Sequence, residues 1–104
     1  MSYPRRGEVW WAQSGTKRRP VVVISADEMN QRLTKVLVIP GTTNLRGWPD
    51  ELRLAKGFLP EDTAFCCREL TPLPTELLLD RLGTVGDDWL AAACNVLSSV
   101  LGCR

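Results

Sequence analysis

The sequence predicts a mainly β fold of the α+β class: a small, strongly curved antiparallel sheet or partly open barrel, with short helices and one C-terminal helix. Three observations predict it. Short runs rich in β-branched and aromatic residues recur along the chain, turn-forming residues separate these runs, and one long amphipathic pattern closes the sequence. Such short strands with a single helix pack as a curved sheet with the helix against it. At 104 residues we expect a single domain spanning residues 1–104.

The first 40 residues predict three strands and one short helix. Val9, Trp10 and Trp11 favour extended backbone, because aromatic and β-branched side chains fit a pleated surface. Ser25 and Glu28 have the spacing of a capping box, which predicts that a helix begins at Ser25. The residues Pro40-Gly41 are expected to end or bend the third strand. The predicted elements are strands at residues 8–13, 20–25 and 35–39, and a helix from 25 to about 33.

The rest of the chain predicts three further strands, a helical turn and the closing helix. Residues 51–54 alternate polar and apolar side chains, as a half-exposed strand does. The closing segment carries an apolar stripe of Leu90, Ala93, Leu97, Val100 and Leu101, and Gly102 is a natural stop. The predicted elements are strands at residues 51–54, 63–70 and 79–82, a helical turn at 75–78 and a helix at 87–101.

Composition and charge exclude some classes of protein. The chain has no apolar stretch of eighteen residues, and no apolar block follows Arg5-Arg6, so we expect no membrane span, no signal peptide and a cytoplasmic location. The net charge is only +1, but residues 1–35 hold seven Lys or Arg against three Asp or Glu. This basic N-terminal third is compatible with a phosphate-bearing partner.

The chain has no histidine and four cysteines, at positions 66, 67, 94 and 103. Without histidine, the commonest general acid and base is missing and no His-based triad is available. No CxxC or Cys/His spacing is present, so we interpret the cysteines as small buried residues or free thiols rather than as metal ligands or a disulfide. No metal and no cofactor are predicted.

A candidate site is predicted where cations meet a strand end. Lys17, Arg18 and Arg19 stand directly before an apolar strand, and Pro20 holds Arg19 in an extended conformation. The next apolar strand runs into Thr42 and Thr43. If the two strand ends meet, Arg19 and Thr42 share a site. The simpler alternatives are a solvated edge charge for Arg19 and ordinary β-forming residues for the threonines.

Four segments together resemble the MazF/PemK toxin family: residues 6–11 (RGEVWW), 19–25 (RPVVVIS), 38–44 (VIPGTTN) and 96–102 (VLSSVLG). The resemblance implies an SH3-like, CcdB-like barrel, a homodimer and the toxin component of a type II toxin-antitoxin system. It further implies a metal-independent endoribonuclease that inhibits growth by cutting single-stranded RNA at short sequence motifs. The products would be a 2′,3′-cyclic phosphate and a 5′-OH. The expected partner is a MazE-like antitoxin whose acidic tail lies in the RNA groove.

Within this resemblance, Arg19 and Thr42 occupy the family's two catalytic positions. We expect RNA contacts from Lys17, Arg18, Thr43, Asn44, Arg46 and Glu69. Two departures are visible: the first loop is reduced to residues 15–18 (GTKR), and Arg68-Glu69 replaces the family's acidic-Gln pair, with Thr71 at a normally basic position. No general base is assigned, and Glu69 is the carboxylate to test. Trp48 is expected either to stack on a base or to hold its own loop.

The residue types suit RNA cleavage without reference to any family. RNA supplies its own nucleophile, the 2′-OH, so the protein must align it and stabilise added negative charge. A guanidinium offers permanently charged donors to phosphate oxygens but is a poor base, and the Thr42 hydroxyl could donate to the same phosphate. The alternative function is a non-catalytic relative, either a protein-binding toxin like a gyrase poison or an RNA-binding module.

Overall fold

The computed structural model describes residues 3–55, 57–59 and 62–103. Seven strands and two helices follow one another in the order β1 (Glu8–Ser14), β2 (Lys17–Val23), α1 (Asp27–Arg32), β3 (Lys35–Thr42), β4 (Glu51–Arg53), β5 (Ala64–Cys66), β6 (Thr71–Pro74), β7 (Leu78–Thr84) and α2 (Asp87–Leu101). Two single 3-10 turns lie between strands: Cys67–Glu69 precedes β6, and Thr75–Leu77 precedes β7. No helix in the described ranges is both long and apolar enough to cross a bilayer.

All strand pairs are antiparallel, in the order β4-β5-β3-β2-β1-β7, and β6 pairs with β3 as well. The strands β4 and β7 lie at the two ends of this order, so the sheet is curved but not closed. The predicted mainly antiparallel fold with a C-terminal helix is confirmed, and the partly open form of the barrel is the one observed.

Two apolar clusters cover the two faces of the sheet. On one face Val22 packs with Val9, Ile39 and Phe65 under α2. On the other face the neighbouring β2 residues, Val21 and Val23, pack with Ala12, Val36 and Val38. Because side chains alternate along a strand, a continuous apolar run such as residues 21–24 indicates a strand that is covered on both faces. The central position of β2 explains why its end can carry a rigidly held site.

The capping-box prediction at Ser25 is wrong. Helix α1 begins at Asp27, its N-cap is Ala26, and no side chain caps it. The Ser25 hydroxyl instead donates to the side chain of Asn30 and accepts the backbone N–H of Leu37 at 3.0 Å. Ser25 is buried between α1 and β3, and its hydroxyl satisfies groups that would otherwise lack partners there.

The third strand is longer than predicted, because Pro40-Gly41 lies within β3 and neither ends nor interrupts it. Pro40 pairs with Val21, and Gly41 pairs with Phe65 of β5. A Cβ at Gly41 would lie 2.8 Å from the Phe65 ring, so only glycine permits this close packing. The extension carries Thr42 to the end of β2.

The strand predicted at residues 63–70 is broken into two. Going from Gly41 to Val38 along β3 covers three residues, but the partners Phe65 and Thr71 are six residues apart. The turn Cys67–Glu69 takes up the three extra residues and moves the chain from the β5 ladder to the β6 ladder. Sequence periodicity does not report such a change of register.

The closing helix α2 spans the predicted residues and ends at Gly102, whose φ of 74° places it in the left-handed region. The Gly102 N–H bonds to the carbonyls of Ser98 and Ser99. Ala93 and Leu97 are buried, whereas Val100 and Leu101 are exposed. The predicted apolar stripe therefore contacts the core only through its first part.

Candidate active site

The ends of β2 and β3 bring Arg19 and Thr42 together. Val21 pairs with Pro40, so continuing this register by two residues sets Arg19 across from Thr42. Both residues line two adjoining cavities of about 370 and 260 Å³. The larger, here called the polar cavity, is lined by Lys17, Arg19, Pro40, Gly41, Thr42, Asn44, Arg46, Glu51, Cys66 and Glu69. The smaller, here called the tryptophan cavity, is lined by Trp11, Lys17, Arg18, Arg19, Pro20, Gly41, Thr42, Thr43 and Thr63.

Arg19 is a half-buried cation that has no carboxylate partner among the described residues. In the described ranges the ion pairs are Arg18–Asp80, Arg53–Asp62, Arg68–Asp50 and Arg81–Glu8, and Arg19 takes part in none of them. Arg19 lies within β2 and directly before Pro20, so the backbone fixes the position from which its side chain extends. Its planar guanidinium presents several N–H donors to the cavity, and the oxygens of a phosphate group could accept hydrogen bonds from them.

Thr42 is half-buried, and its hydroxyl is oriented by the backbone. The Oγ1 atom accepts the N–H of Asn44 at 3.0 Å. A threonine hydroxyl has one donor and two acceptor positions, so this bond uses an acceptor position and leaves the proton free to donate. The Thr42 hydroxyl can therefore give a hydrogen bond to an oxygen bound in the cavity.

Two carboxylates line the polar cavity and differ in their partners. Glu51 accepts the backbone N–H of Arg46 at 3.2 Å and that of Gly47 at 3.0 Å, so it holds the loop after β3 in place. Glu69, from the turn between β5 and β6, is exposed and has neither a hydrogen bond nor an ion pair within the described residues. Glu69 is therefore the carboxylate in this cavity that is free to interact with a ligand.

Burial keeps the two adjacent cysteines protonated. Burial raises the pKa of the Cys66 thiol, and the carboxylates of Glu69, Glu51 and Asp50 add to the shift, against the lowering effect of Arg68. Burial raises the pKa of the Cys67 thiol to about 11. Although Cys66 lines the polar cavity, its thiol is a poor nucleophile, since the thiolate is the reactive form.

Native protein at pH 8 is expected to react with iodoacetamide at two thiols, Cys94 and Cys103, which are both exposed. Cys66 and Cys67 are shielded by burial and are held as thiols, so they should remain unmodified until the chain unfolds. Intact mass spectrometry checks this result, with urea-unfolded protein as the control that labels all four. Rapid native labelling of Cys66 or Cys67 would contradict the burial of the β5 end.

Trp48 lies over the guanidinium groups of two arginines. The Cζ atom of Arg68 is 3.6 Å from the centre of its ring, and that of Arg46 is 4.9 Å away. Arg68 also pairs with Asp50, through its backbone N–H at 3.2 Å and its Nε at 3.6 Å. These contacts favour the interpretation that Trp48 holds its own loop. Arg68, one of the departures from the family pattern, lines neither cavity.

All eight residues predicted for the site line at least one of the two cavities: Lys17, Arg18, Arg19, Thr42, Thr43, Asn44, Arg46 and Glu69. Sequence reasoning missed Trp11, Thr63, Glu51 and Cys66 as cavity residues. Of these four residues, only Trp11 had a signal in the sequence. It lies in a strand whose side chains alternate between faces, and it pairs with Pro20, the neighbour of Arg19. No group of three or more potential metal ligands occurs among the described residues.

Comparison with known proteins agrees with the pattern of this site. Residues 5–101 match the family model described as PemK-like, MazF-like toxin of type II toxin-antitoxin system. The chain is 37% identical over 103 residues to a protein of Mycobacterium tuberculosis named probable endoribonuclease MazF5, covering 96% of this chain and 94% of that protein.

Solved structures show the same fold. An endoribonuclease in complex with its cognate antitoxin, from a mycobacterial species, has a TM-score of 0.87 at 22% identity and 97% coverage of both chains. A MazE-MazF structure from Deinococcus radiodurans has a TM-score of 0.86 at 23% identity, with both chains fully covered. Since the family match spans nearly the whole sequence and a relative exceeds 30% identity, this chain belongs to the PemK-like, MazF-like toxins of type II toxin-antitoxin systems.

Proposed function

We propose that this protein is the toxin of a type II toxin-antitoxin pair and acts as a metal-independent, sequence-specific endoribonuclease on single-stranded RNA. The observation that carries this proposal is the cavity in which the half-buried Arg19, which makes no ion pair with the described residues, faces the same space as the Thr42 hydroxyl. A permanently charged donor beside a neutral donor suits a phosphodiester whose charge increases during reaction. The 37% identical relative named as a probable endoribonuclease supports the same activity.

In the proposed reaction the RNA 2′-OH attacks the adjacent phosphorus. The new bond joins O2′ to phosphorus, the bond from phosphorus to O5′ breaks, and the products are a 2′,3′-cyclic phosphate and a 5′-OH. Arg19 binds the non-bridging oxygens and stabilises the charge that develops on them. Thr42 donates a second hydrogen bond, while the Asn44 N–H holds its oxygen in position. A water molecule from the open cavity supplies the proton that O5′ takes up as it leaves, because the Arg19 guanidinium holds its protons too tightly to give one up.

Glu69 is proposed as the group that removes the 2′-OH proton. It is the cavity carboxylate without a partner within the described residues, whereas Glu51 is occupied by backbone N–H groups. Glu69 stands where the family pattern has glutamine, which cannot act as a base. In this chain, Glu69 therefore supplies a carboxylate to the cavity that Arg19 also lines, where the family pattern has none at that position.

Glu69→Gln is expected to lower the cleavage rate about tenfold at pH 7, since loss of a general base removes one route for proton transfer. The deficit should shrink toward pH 9, because hydroxide in this exposed cavity can take over the proton. Single-turnover rates on a defined RNA measure the effect, and Glu76→Gln, which removes an exposed carboxylate outside the two cavities, serves as the matched control. A pH-independent deficit would assign Glu69 to RNA contact alone.

The proposed cellular setting follows from the activity. Single-stranded RNA is the substrate, and Lys17, Arg18 and Arg46 provide cations for its phosphates around the two cavities. A MazE-like antitoxin with an acidic tail would occupy the same cationic surface and block it. We further propose that the toxin acts as a homodimer and in the cytoplasm, where its RNA substrates are found.

Incubation of the purified protein with a long single-stranded RNA in the presence of EDTA tests the proposed function. Discrete fragments that end in a 2′,3′-cyclic phosphate and a 5′-OH are the expected result, and mapping their ends gives the sequence preference. Intact RNA at high protein concentration would reject the nuclease. Retained binding to a protein or RNA partner would then support a non-catalytic toxin or an RNA-binding module.

A further inference from the structure

The tryptophan cavity adjoins the position of the reacting phosphate but has different walls. It shares Lys17, Arg19, Gly41 and Thr42 with the polar cavity. Its remaining surface includes Trp11, whereas the polar cavity adds Asn44 and two carboxylates. A polynucleotide whose phosphate lies on Arg19 and Thr42 would therefore place a neighbouring nucleotide against Trp11.

Trp11 differs from the other three tryptophans of the chain. The indole N–H of Trp10 donates to Glu8 at 3.0 Å, and that of Trp89 donates to the Arg53 carbonyl at 2.9 Å. Trp48 lies against two guanidinium groups. Within the described residues, the half-buried Trp11 makes no hydrogen bond, ring contact or cation contact.

An indole N–H that lies beside a cavity and has no acceptor among the described residues is suited to an external partner, because buried tryptophans usually satisfy this donor within the protein. Trp11 is also rigidly placed, since it lies in β1 and pairs with Pro20 of β2. The cavity of about 260 Å³ is smaller than the 300 Å³ or more that is typical of drug-sized ligands, so it has room for one planar ring. Thr43, which is exposed and carries a hydroxyl, lines the same space.

We propose that the tryptophan cavity binds one nucleobase of the RNA, next to the cleaved phosphate, by stacking on Trp11. This inference rests on the proposed function and adds a subsite to it. Stacking on an aromatic side chain suits every base, and the exposed Thr43 hydroxyl contacts the polar edge of the base. Trp11, rather than Trp48, is then the aromatic residue that contacts the substrate.

The test measures the dissociation constant for a short RNA that carries 2′-deoxyribose at the cleaved nucleotide, so that it binds without reacting. Loss of the stacking partner in Trp11→Ala or Trp11→Leu should weaken binding about tenfold, while the aromatic Trp11→Phe should stay within about threefold of the unmodified protein. Leucine keeps apolar bulk and preserves the test if the alanine variant does not fold. Thermal unfolding of each variant verifies the fold.

An abasic nucleotide placed at each RNA position in turn identifies the stacked base. One position next to the cleaved phosphate should weaken binding to the unmodified protein about tenfold and cause no further loss in Trp11→Leu. Equal binding by Trp11→Leu and the unmodified protein, or two losses that multiply, would overturn the subsite. Because the readout is binding, Trp11→Leu and the unmodified protein can also be compared on an all-2′-deoxy strand if no cleavage site is found, a failure that would refute the nuclease separately.

Discussion

Replacing Arg19 with alanine is expected to lower the rate of RNA cleavage by about two orders of magnitude or more, with little change in thermal stability. Loss of one preorganised transition-state donor typically costs ~10²–10³ in rate. Arg19 makes no ion pair with the described residues, so its removal breaks no internal salt bridge. Single-turnover cleavage of a mapped RNA, at saturating protein, measures the chemical step.

Two further variants make this result specific. Arg19→Lys retains the charge but loses the planar fork, so a rate between those of Arg19→Ala and the unmodified protein is expected. Arg32→Ala removes an exposed arginine at the end of α1, outside both cavities, and should cleave at the unmodified rate. An Arg19→Ala protein that cleaves as fast as the unmodified protein would remove the guanidinium from the mechanism.

Replacing Thr42 with valine is expected to lower cleavage by about two orders of magnitude, because valine has the shape of threonine but no hydroxyl. The change removes the donor to the phosphate and also the acceptor that holds the Asn44 N–H. Its larger effect should fall on the rate at saturating protein rather than on RNA affinity, since the donor matters most when charge has developed on the phosphate.

Thr42→Ser is the matched control for the valine variant. Serine keeps the hydroxyl and the bond to the Asn44 N–H, so most of the activity should remain. A serine variant as slow as valine would indicate that the methyl group, through packing at the end of β3, is what the site requires. Circular dichroism and thermal unfolding of all three proteins separate this effect from loss of the fold.

Several elements could be predicted from sequence because their signals are local. The closing helix needed only a 3.6-residue apolar period and Gly102, and the structure places it at Asp87–Leu101. The β-branched run after Pro20 required a strand covered on both faces, and β2 lies at the centre of the sheet. Where tertiary contacts compete with local signals, prediction failed, as at Ser25, which bonds to Asn30 and Leu37 instead of capping α1.

Part of the site could be predicted because its residues stand next to strong local strand signals. Arg19 and Thr42 each stand at the end of an apolar strand, and adjacent antiparallel strands bring such ends together. Glu69 was assigned to the site from the family resemblance and not from strand periodicity, because its position depends on the turn at Cys67–Glu69 that shifts register between β5 and β6. The partners of Trp48 and Trp11 depend likewise on residues distant in sequence.

By itself, the order of residues determined the chemical groups and the strands that carry them: a cation before Pro20, hydroxyls after the third apolar run and a closing amphipathic helix. Only the tertiary structure decided that Arg19 has no carboxylate partner among the described residues, that Glu51 is occupied while Glu69 is free, and that Trp11 faces the cavity. The physical reason is the separation along the sequence over which each interaction acts. Backbone preferences and side-chain periodicity act between near neighbours, whereas pairing, burial and charge compensation depend on residues that meet only when the chain has folded.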